Sequence, residues 1–86
     1  MTTSVEISMY PLKEDYKPSI IAFIKNLRNY PFIKVNTNGM STQVFGDYKR
    51  VMNAINTEME NTFLKSNSVV FNLKVINADL EEIPTF

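Results

Sequence analysis

Two apolar periodicities alternate along this chain: in some stretches apolar residues recur at every second position, and in others at every third or fourth. Residues 4–10 place Val5, Ile7 and Met9 between polar neighbours, which is the two-residue period of a half-buried strand. Pro11 is expected to end the pairing of this strand, because proline has no N–H to donate to a ladder.

A helix is predicted over residues 17–29. Pro18 lies near its start, where a missing N–H costs little, and Pro31 prevents continuation past Tyr30. Between them, apolar side chains recur with helical spacing at Ile20, Ile21, Phe23, Ile24 and Leu27.

A hairpin follows this helix. Ile33 and Val35 alternate with polar residues in a short strand, Asn38-Gly39 predicts a tight turn, and residues 41–45 form the returning strand. Asp47 is then a credible N-cap for a second helix that begins at Tyr48.

The second helix is predicted from apolar residues at helical spacing: Val51, Met52, Ile55, Met59 and Phe63. Its acidic residues Glu58 and Glu60, like Glu81 and Glu82 further on, are expected to be solvated charges. Residues 66–76 alternate as a last strand, and the acidic tail 77–86 is expected to be frayed or docked on a partner.

The element order β-α-β-β-α-β predicts a single ferredoxin-like α+β domain over residues 1–86, with a core at about 4–76. In this sandwich an antiparallel four-stranded sheet carries two helices on one face. The helices are expected to cover Val5, Ile7, Met9, Ile33, Val35, Val44, Val69, Phe71, Leu73 and Val75. The opposite side of the sheet, the open face, then holds Glu6, Ser8, Tyr10, Lys34, Asn36, Ser41, Gln43, Phe45, Val70, Asn72 and Lys74.

Composition excludes several classes of function. The 86 residues carry a formal net charge of +0, which gives no electrostatic drive toward nucleic acid. With neither histidine nor cysteine, the chain has no Ser-His-Asp or Cys-His nucleophile and no ordinary zinc site. Two glycines do not make a phosphate-binding loop, so we predict a protein that is not an enzyme and uses no cofactor.

Neither a membrane-spanning apolar run nor a secretory signal is visible, and we expect a cytoplasmic protein without membrane partners. Because a core of this size has no disulfide or metal to reinforce it, the chain is expected to associate with itself. A mixed polar and aromatic open face suits packing on another copy or framing a ligand, and a plain wet surface is the alternative.

Candidate binding residues lie on the open face and at the hairpin. Glu6 is expected to pair with Lys34, with Lys74 or with a cationic ligand. Tyr10 and Phe45 could stack on a flat ring or fill an interface. The hydroxyls of Ser41 and Thr42 would bond either the hairpin backbone or a ligand, and Met40 would be an exposed apolar tip unless something covers it.

Three segments resemble the YkoF-like thiamine-binding protein family. Residues 6–12, Glu-Ile-Ser-Met-Tyr-Pro-Leu, look like its first strand. Residues 40–47, Met-Ser-Thr-Gln-Val-Phe-Gly-Asp, resemble its central strand, and residues 68–74 are similar to its last strand. The likeness covers residues 4 to about 76.

The resemblance implies a ferredoxin-like domain that assembles through its sheets, here as a homodimer or homotetramer, and that binds thiamine or its hydroxymethylpyrimidine part. Thr42, Gly46 and Asp47 match the family pattern directly. Thiamine carries a thiazolium cation and a flat aminopyrimidine, which call for carboxylate, aromatic, hydroxyl and amide partners. The predicted ligand-binding residues are therefore Glu6, Ser8, Tyr10, Asn36, Met40, Ser41, Thr42, Phe45, Asp47 and Asn72.

Three other functions share this topology. An interaction module without a small ligand predicts an open face that is fully covered in the oligomer. An acylphosphatase-like enzyme needs an arginine in the loop after the first strand, where residues 10–15 have none. An RNA-binding sheet would carry an aromatic ribonucleoprotein motif and a basic surface, and both are missing from this sequence.

Overall fold

The structure is a computed structural model and describes residues 1–85. Its elements follow the predicted order: β1 Thr2–Pro11, α1 Lys17–Arg28, β2 Ile33–Thr37, β3 Thr42–Asp47, α2 Tyr48–Lys65 and β4 Val69–Ile76. The hydrophobic periods therefore identified the type of every element, and only the ends of the elements differ from the prediction.

The strands form one four-stranded sheet in the order β2-β3-β1-β4. Every neighbouring pair is antiparallel, with Val44 of β3 opposite both Val5 of β1 and Val35 of β2, and Val5 opposite Val75 of β4. Two helices packed on one face of this sheet make the ferredoxin-like fold, as predicted.

The core lies between the helices and the sheet. Phe23 and Leu27 of α1 and Val51, Ala54 and Ile55 of α2 are buried, since their three- and four-residue spacing puts them on one side of each helix. They pack on the buried sheet residues Val5, Ile7, Met9 and Val44.

Asp47 caps α2 as predicted. Its carboxylate accepts a hydrogen bond from the backbone N–H of Arg50 at 3.3 Å, one of the donors that a helix start leaves unpaired. The terminal ammonium of Met1 lies 3.6 Å from the same carboxylate, so both contacts of Asp47 lie at the end of the sheet that is opposite the hairpin.

β1 ends at Pro11, the residue expected to end it, but Pro11 itself is still paired. Pro11 lies opposite Val69 in the β1–β4 ladder, and the Leu12 N–H extends that ladder to the Ser68 carbonyl at 3.0 Å. The ring nitrogen is tolerated because it points to the other side of β1, where β3 has already ended at the level of Ile7 and Thr42.

The hairpin has a four-residue connection and not the tight Asn-Gly turn that was expected. Thr37 pairs with Thr42, and residues 38–41 form the loop, with no positive φ at Asn38 or Gly39. The Asn38 side chain stabilises the loop by accepting hydrogen bonds from the backbone N–H groups of Met40 at 2.8 Å and Ser41 at 3.1 Å.

Residues 78–81 of the C-terminal tail contact the open face of their own sheet, whereas a frayed tail or a tail docked on a partner was expected for residues 77–86, of which Phe86 lies outside the described residues. The Ser4 hydroxyl donates to the Ala78 carbonyl at 2.7 Å and accepts from the Leu80 N–H at 2.8 Å. Lys34 forms an ion pair with Glu81. Phe45, on the covered half of this face, is only 7% exposed.

Two further expectations about burial were wrong. Val75 was assigned to the helix-covered face, but it is 47% exposed at the edge strand β4 and, unlike Val69, Phe71 and Leu73, does not pack against the core. Glu58 was expected to be solvated, but it is buried between the helices and accepts a hydrogen bond from the Tyr30 hydroxyl at 2.7 Å. This bond to Glu58, and secondarily burial, raise the pKa of Tyr30 above 10.0.

Over residues 1–85, neither helix has the length and apolar character that crossing a membrane requires.

Candidate ligand-binding site

A cleft of about 430 Å³ opens where β1 extends past the end of β3. We call it the hairpin cleft. Residues 7–11 of β1 form its base, the β2–β3 loop with its flanking threonines forms one wall, and Tyr16 with Ile20, Phe23 and Ile24 of α1 forms the other. Its volume falls within the range of about 300–1,000 Å³ typical of small-molecule sites.

The hairpin cleft collects half of the residues predicted from the sequence. Those that line it are Ser8, Tyr10, Met40, Ser41 and Thr42. Met40 is 89% exposed and forms part of the rim, which agrees with its expected position as an apolar tip. The strand end, the hairpin turn and the helix therefore meet at one concave place.

Hydrogen bonds hold the loop wall in position. The Ser41 hydroxyl donates to the Glu6 carboxylate at 2.9 Å and accepts from the Gln43 amide at 2.9 Å. The backbone N–H of Asn38 donates to the Ser41 carbonyl at 3.1 Å, which closes the loop. These contacts fix Ser41 from both sides, so the rim of the hairpin cleft is pre-organised.

Thr42, predicted as a hairpin residue that bonds the backbone or a ligand, is buried on the helix side of the sheet. Its side chain points to the helix side of the sheet, is 5% exposed, and its hydroxyl lies 3.0 Å from that of Thr37. The two hydroxyls share one hydrogen between them, which leaves a second hydrogen that either of them can present to the cleft.

Three aromatic residues line the hairpin cleft. Tyr10 is 53% and Tyr16 47% exposed, while Phe23 in the middle of α1 is buried and packs on Phe71 with ring centroids 5.0 Å apart. A flat ligand ring could therefore contact aromatic faces as it enters and apolar side chains further in.

Glu6 is a neighbour of the hairpin cleft and does not line it. Besides Ser41, its carboxylate has Lys74 at 3.6 Å, and the Lys74 side chain is 81% exposed. Of the partners considered from the sequence, Lys74 is the one that the fold provides, while Lys34 pairs with Glu81. Such an exposed ion pair contributes little to stability, so the main structural contact of Glu6 is with Ser41.

A second cleft, of about 470 Å³, lies on the open face beside the tail. Glu6, Gln43 and Lys74 give it polar groups, and Phe45 and Leu80 give it an apolar part. Of the predicted residues, Glu6 and Phe45 line this second cleft. Because Leu80 belongs to the tail, the shape of this cleft depends on the tail staying in place.

The remaining predicted residues line neither cleft. Asn36 lies across from Gln43 and Asn72 across from Ser8, both exposed on the open face. Asp47 is the helix cap at the opposite end of β3. The structure therefore does not bring these three side chains together with Ser41 and Thr42.

Sequence reasoning missed the helix wall and the turn residue behind the loop. These residues are Tyr16, Ile20, Phe23, Ile24 and Asn38. The apolar spacing of α1 identified a buried face, but nothing in that spacing tells which part of the face is covered by the sheet and which part borders a cleft. Tyr16, immediately before Lys17, was the available signal, as an aromatic residue at a helix start.

Comparison with known proteins gives structural similarity only. No family model matches the sequence, and no curated protein matches it. A hypothetical protein from Methanocaldococcus jannascii has a TM-score of 0.79 at 23% identity, covering 98% of this chain and 88% of that one.

Two further solved structures are similar. A candidate thiamine biosynthesis/salvage protein from Thermotoga maritima has a TM-score of 0.79 at 17% identity, covering 99% of this chain and 91% of that one. A domain of unknown function from Bacillus cereus has a TM-score of 0.74 at 9% identity, covering 99% and 84%. At these identities the similarity establishes the ferredoxin-like fold, which these proteins share with this chain.

Proposed function

We propose that this chain is a cytoplasmic, non-enzymatic binding protein for thiamine or a related hydroxymethylpyrimidine compound, which it holds in the hairpin cleft. The observation that carries the proposal is the meeting of Ser8, Tyr10, Ser41 and Thr42 at one cleft of about 430 Å³. The similarity in fold to a candidate thiamine biosynthesis/salvage protein supports the choice of ligand.

The chemistry of the cleft matches the two halves of thiamine. Tyr10 and Tyr16, which line the cleft, offer aromatic faces to the thiazolium cation. The carboxylate of Glu6, which accepts a hydrogen bond from Ser41, adds negative charge next to the cleft. The hydroxyls of Ser41 and Thr42 offer hydrogen bonds to the pyrimidine and its hydroxymethyl group.

Thermal unfolding with a panel of vitamins tests the proposal. A ligand at 100 times its Kd stabilises the folded state by about 2.7 kcal/mol, and thiamine should raise the melting temperature accordingly. Tyr10→Ala should weaken thiamine binding, whereas Tyr48→Ala, at the other end of the sheet, should leave it unchanged. A flat melting temperature across the saturating panel would remove thiamine-like ligands from consideration.

Replacing Glu6 by Gln separates a charge contact from a structural one. The amide keeps a hydrogen bond to Ser41 but removes the negative charge, so weaker binding of thiamine with unchanged binding of the neutral pyrimidine half is expected. Equal affinity of both proteins for thiamine would remove Glu6 from the site.

The second candidate function is a sheet-mediated interaction module without a small ligand. It is favoured by the exposed apolar surface beside the cleft: Tyr10 is 53%, Val70 50% and Met40 89% exposed. We propose that this uncovered half of the open face packs on a second copy, since the tail occupies the other half. Sedimentation of the protein with and without ligand distinguishes the two functions, because a pure module would associate equally in both.

A further inference from the structure

The base of the hairpin cleft is a strand edge without a neighbour. The β1–β3 ladder ends at Ile7 and Thr42, while the β1–β4 ladder continues to Pro11 and Val69. Residues 8–11 of β1 are therefore paired on one side only. Their other side faces the hairpin cleft, which these residues line.

The hydrogen-bond pattern identifies which main-chain groups face the cleft. In an antiparallel ladder, residues alternate between pointing both N–H and C=O at one neighbour and pointing both at the other. The Leu12 N–H bonds the Ser68 carbonyl at 3.0 Å, so the main-chain N–H and C=O groups of Ser8 and Tyr10, which lie two and four residues before Leu12, are directed at β4. The main-chain groups of Met9 and Pro11 are consequently directed at the cleft.

The hairpin gives the same assignment independently. The Asn38 N–H bonds the Ser41 carbonyl at 3.1 Å. The main-chain groups of Ser41 and Gln43 are therefore directed at β2, and those of Thr42 at β1. Thr42 faces Ile7, and the next residue of β1 with the same orientation is Met9. If the ladder continued, Met9 would pair with Met40. Met40 lies instead in the loop, where its N–H donates to the Asn38 side chain at 2.8 Å.

Met9 thus presents one N–H donor and one C=O acceptor side by side in the cleft. A 4-aminopyrimidine presents the complement on adjacent atoms: a ring nitrogen that accepts and an amino group that donates. An N–H and a C=O group at the base of an apolar cleft each need a hydrogen-bond partner, and such a ring edge supplies an acceptor and a donor at once.

We propose that the main chain of Met9 binds the donor and acceptor edge of the ligand, so that the hairpin cleft selects a planar amino-heterocycle through the hydrogen-bonding edge of its pyrimidine. This inference rests on the proposed function. It deepens that function by assigning the determinant of specificity to a residue whose side chain is buried in the core.

The length of the free edge favours a small ring over an added strand. Strand addition uses a row of main-chain groups, and this edge offers only Met9 as a complete donor and acceptor pair. Pro11, the next residue with the same orientation, has no N–H. An extended peptide would find one pair of hydrogen bonds here, whereas a single heterocycle needs no more.

Calorimetric titration with four compounds tests the proposal. Thiamine and its 4-amino-5-hydroxymethyl-2-methylpyrimidine half should bind, and the hydroxyethylthiazole half should not. Oxythiamine, whose 4-oxo group replaces the amine and whose ring nitrogen carries hydrogen, places acceptor against acceptor and donor against donor. It should bind on the order of ten- to a hundredfold more weakly than thiamine.

Nuclear magnetic resonance of the unmodified protein gives a second readout. The Met9 amide should shift and exchange more slowly in the thiamine complex, while the Ser8 and Tyr10 amides, already bonded to β4, should keep their exchange rates. A matched pair of variants isolates the donor: Met9→Leu keeps the N–H, and the α-hydroxy analogue of leucine at position 9 replaces it by oxygen. The second should lose about tenfold in affinity relative to the first.

The outcomes separate the two proposals. Absence of binding by all four compounds would overturn the proposed function. Equal affinities for thiamine and oxythiamine with an unshifted Met9 amide would overturn the Met9 proposal alone, as would binding of the thiazole half by itself. Protection of the Met9 amide by an extended peptide but by no pyrimidine would show that the edge receives a strand.

Discussion

Replacing Ser4 by Ala should release the C-terminal tail from the sheet. Ser4 is 6% exposed, and its hydroxyl makes two hydrogen bonds to the tail, one to the Ala78 carbonyl at 2.7 Å and one from the Leu80 N–H at 2.8 Å. No other side chain of the sheet among residues 1–85 bonds the backbone of residues 77–85 in this way, so Ser4 is the anchor.

The expected loss of stability follows from these two bonds. A neutral hydrogen bond contributes about 0.5–1.5 kcal/mol net, and the two together set an upper limit of about 3 kcal/mol. The freed tail groups regain water when the tail leaves, which moves the estimate to about 1–2 kcal/mol. For a domain of 86 residues this corresponds to a fall in melting temperature of roughly 4–16 °C.

Urea unfolding measures this loss, and exchange of the Leu80 amide with solvent reports the tail directly. Ser8→Ala is the matched control, since Ser8 lies on the same strand and face but has no contact with the tail. In a chain shortened to residues 1–76, Ser4→Ala should cost little, because the bonds are already gone. An unchanged Leu80 exchange rate in the full-length variant would refute the anchoring role of Ser4.

Two further outcomes concern other parts of the fold. Gly46→Ala should lower the free energy of unfolding in urea by roughly 1–3 kcal/mol, since Gly46 has φ +152° and an added Cβ would lie 3.0 Å from the Phe32 carbonyl. Gly39→Ala is the control: an added Cβ would have nothing within 4 Å, and the free energy of unfolding should change by less than about 0.5 kcal/mol. Tyr30→Phe should cost stability at neutral pH and progressively less above pH 10. The raised pKa means that the unfolded chain loses the Tyr30 proton first, so the advantage of tyrosine is complete below 10.0 and disappears as pH rises through the folded value. A difference between the two proteins that stays constant with alkaline pH would contradict this.

The elements and the sheet could be predicted because they depend on local patterns. Alternation in β1 and helical spacing in α1 and α2 identify which side of each element is buried, and the order of the elements leaves few ways to bury all of them together. The cap at Asp47 is equally local, since it needs only a short polar side chain before a helix.

The predictions that were wrong concern partners distant in sequence. Glu58 of α2 is buried and bonds Tyr30, which follows α1 and lies 28 positions earlier in the chain. This contact leaves no periodic signal, because the pattern around a single acidic residue is the same whether its partner is water or protein. The pairing of Pro11 with Val69 was not foreseen for a related reason: the direction of its nitrogen follows from the register with β4, which the sequence does not show.

The candidate site was only half predictable because its chemistry is divided between side chains and the main chain. Ser41, Thr42 and Tyr10 could be proposed from their types, and the structure places them at one cleft. The edge at Met9 arises from a mismatch in length, with β1 running from Thr2 to Pro11 and β3 starting only at Thr42. No residue type in the sequence predicts this difference in extent between β1 and β3.

A free strand edge has a consequence for how such a site can persist among divergent chains. A ligand read by the N–H and C=O of one residue places no demand on that residue's side chain, which in Met9 remains free to serve the core. The demand falls on the lengths of β1 and β3 and on the loop that keeps Met40 away from the edge. Strand lengths and loop geometry belong to the fold, so the recognition that we propose for this chain depends on its backbone geometry and not on a particular side chain.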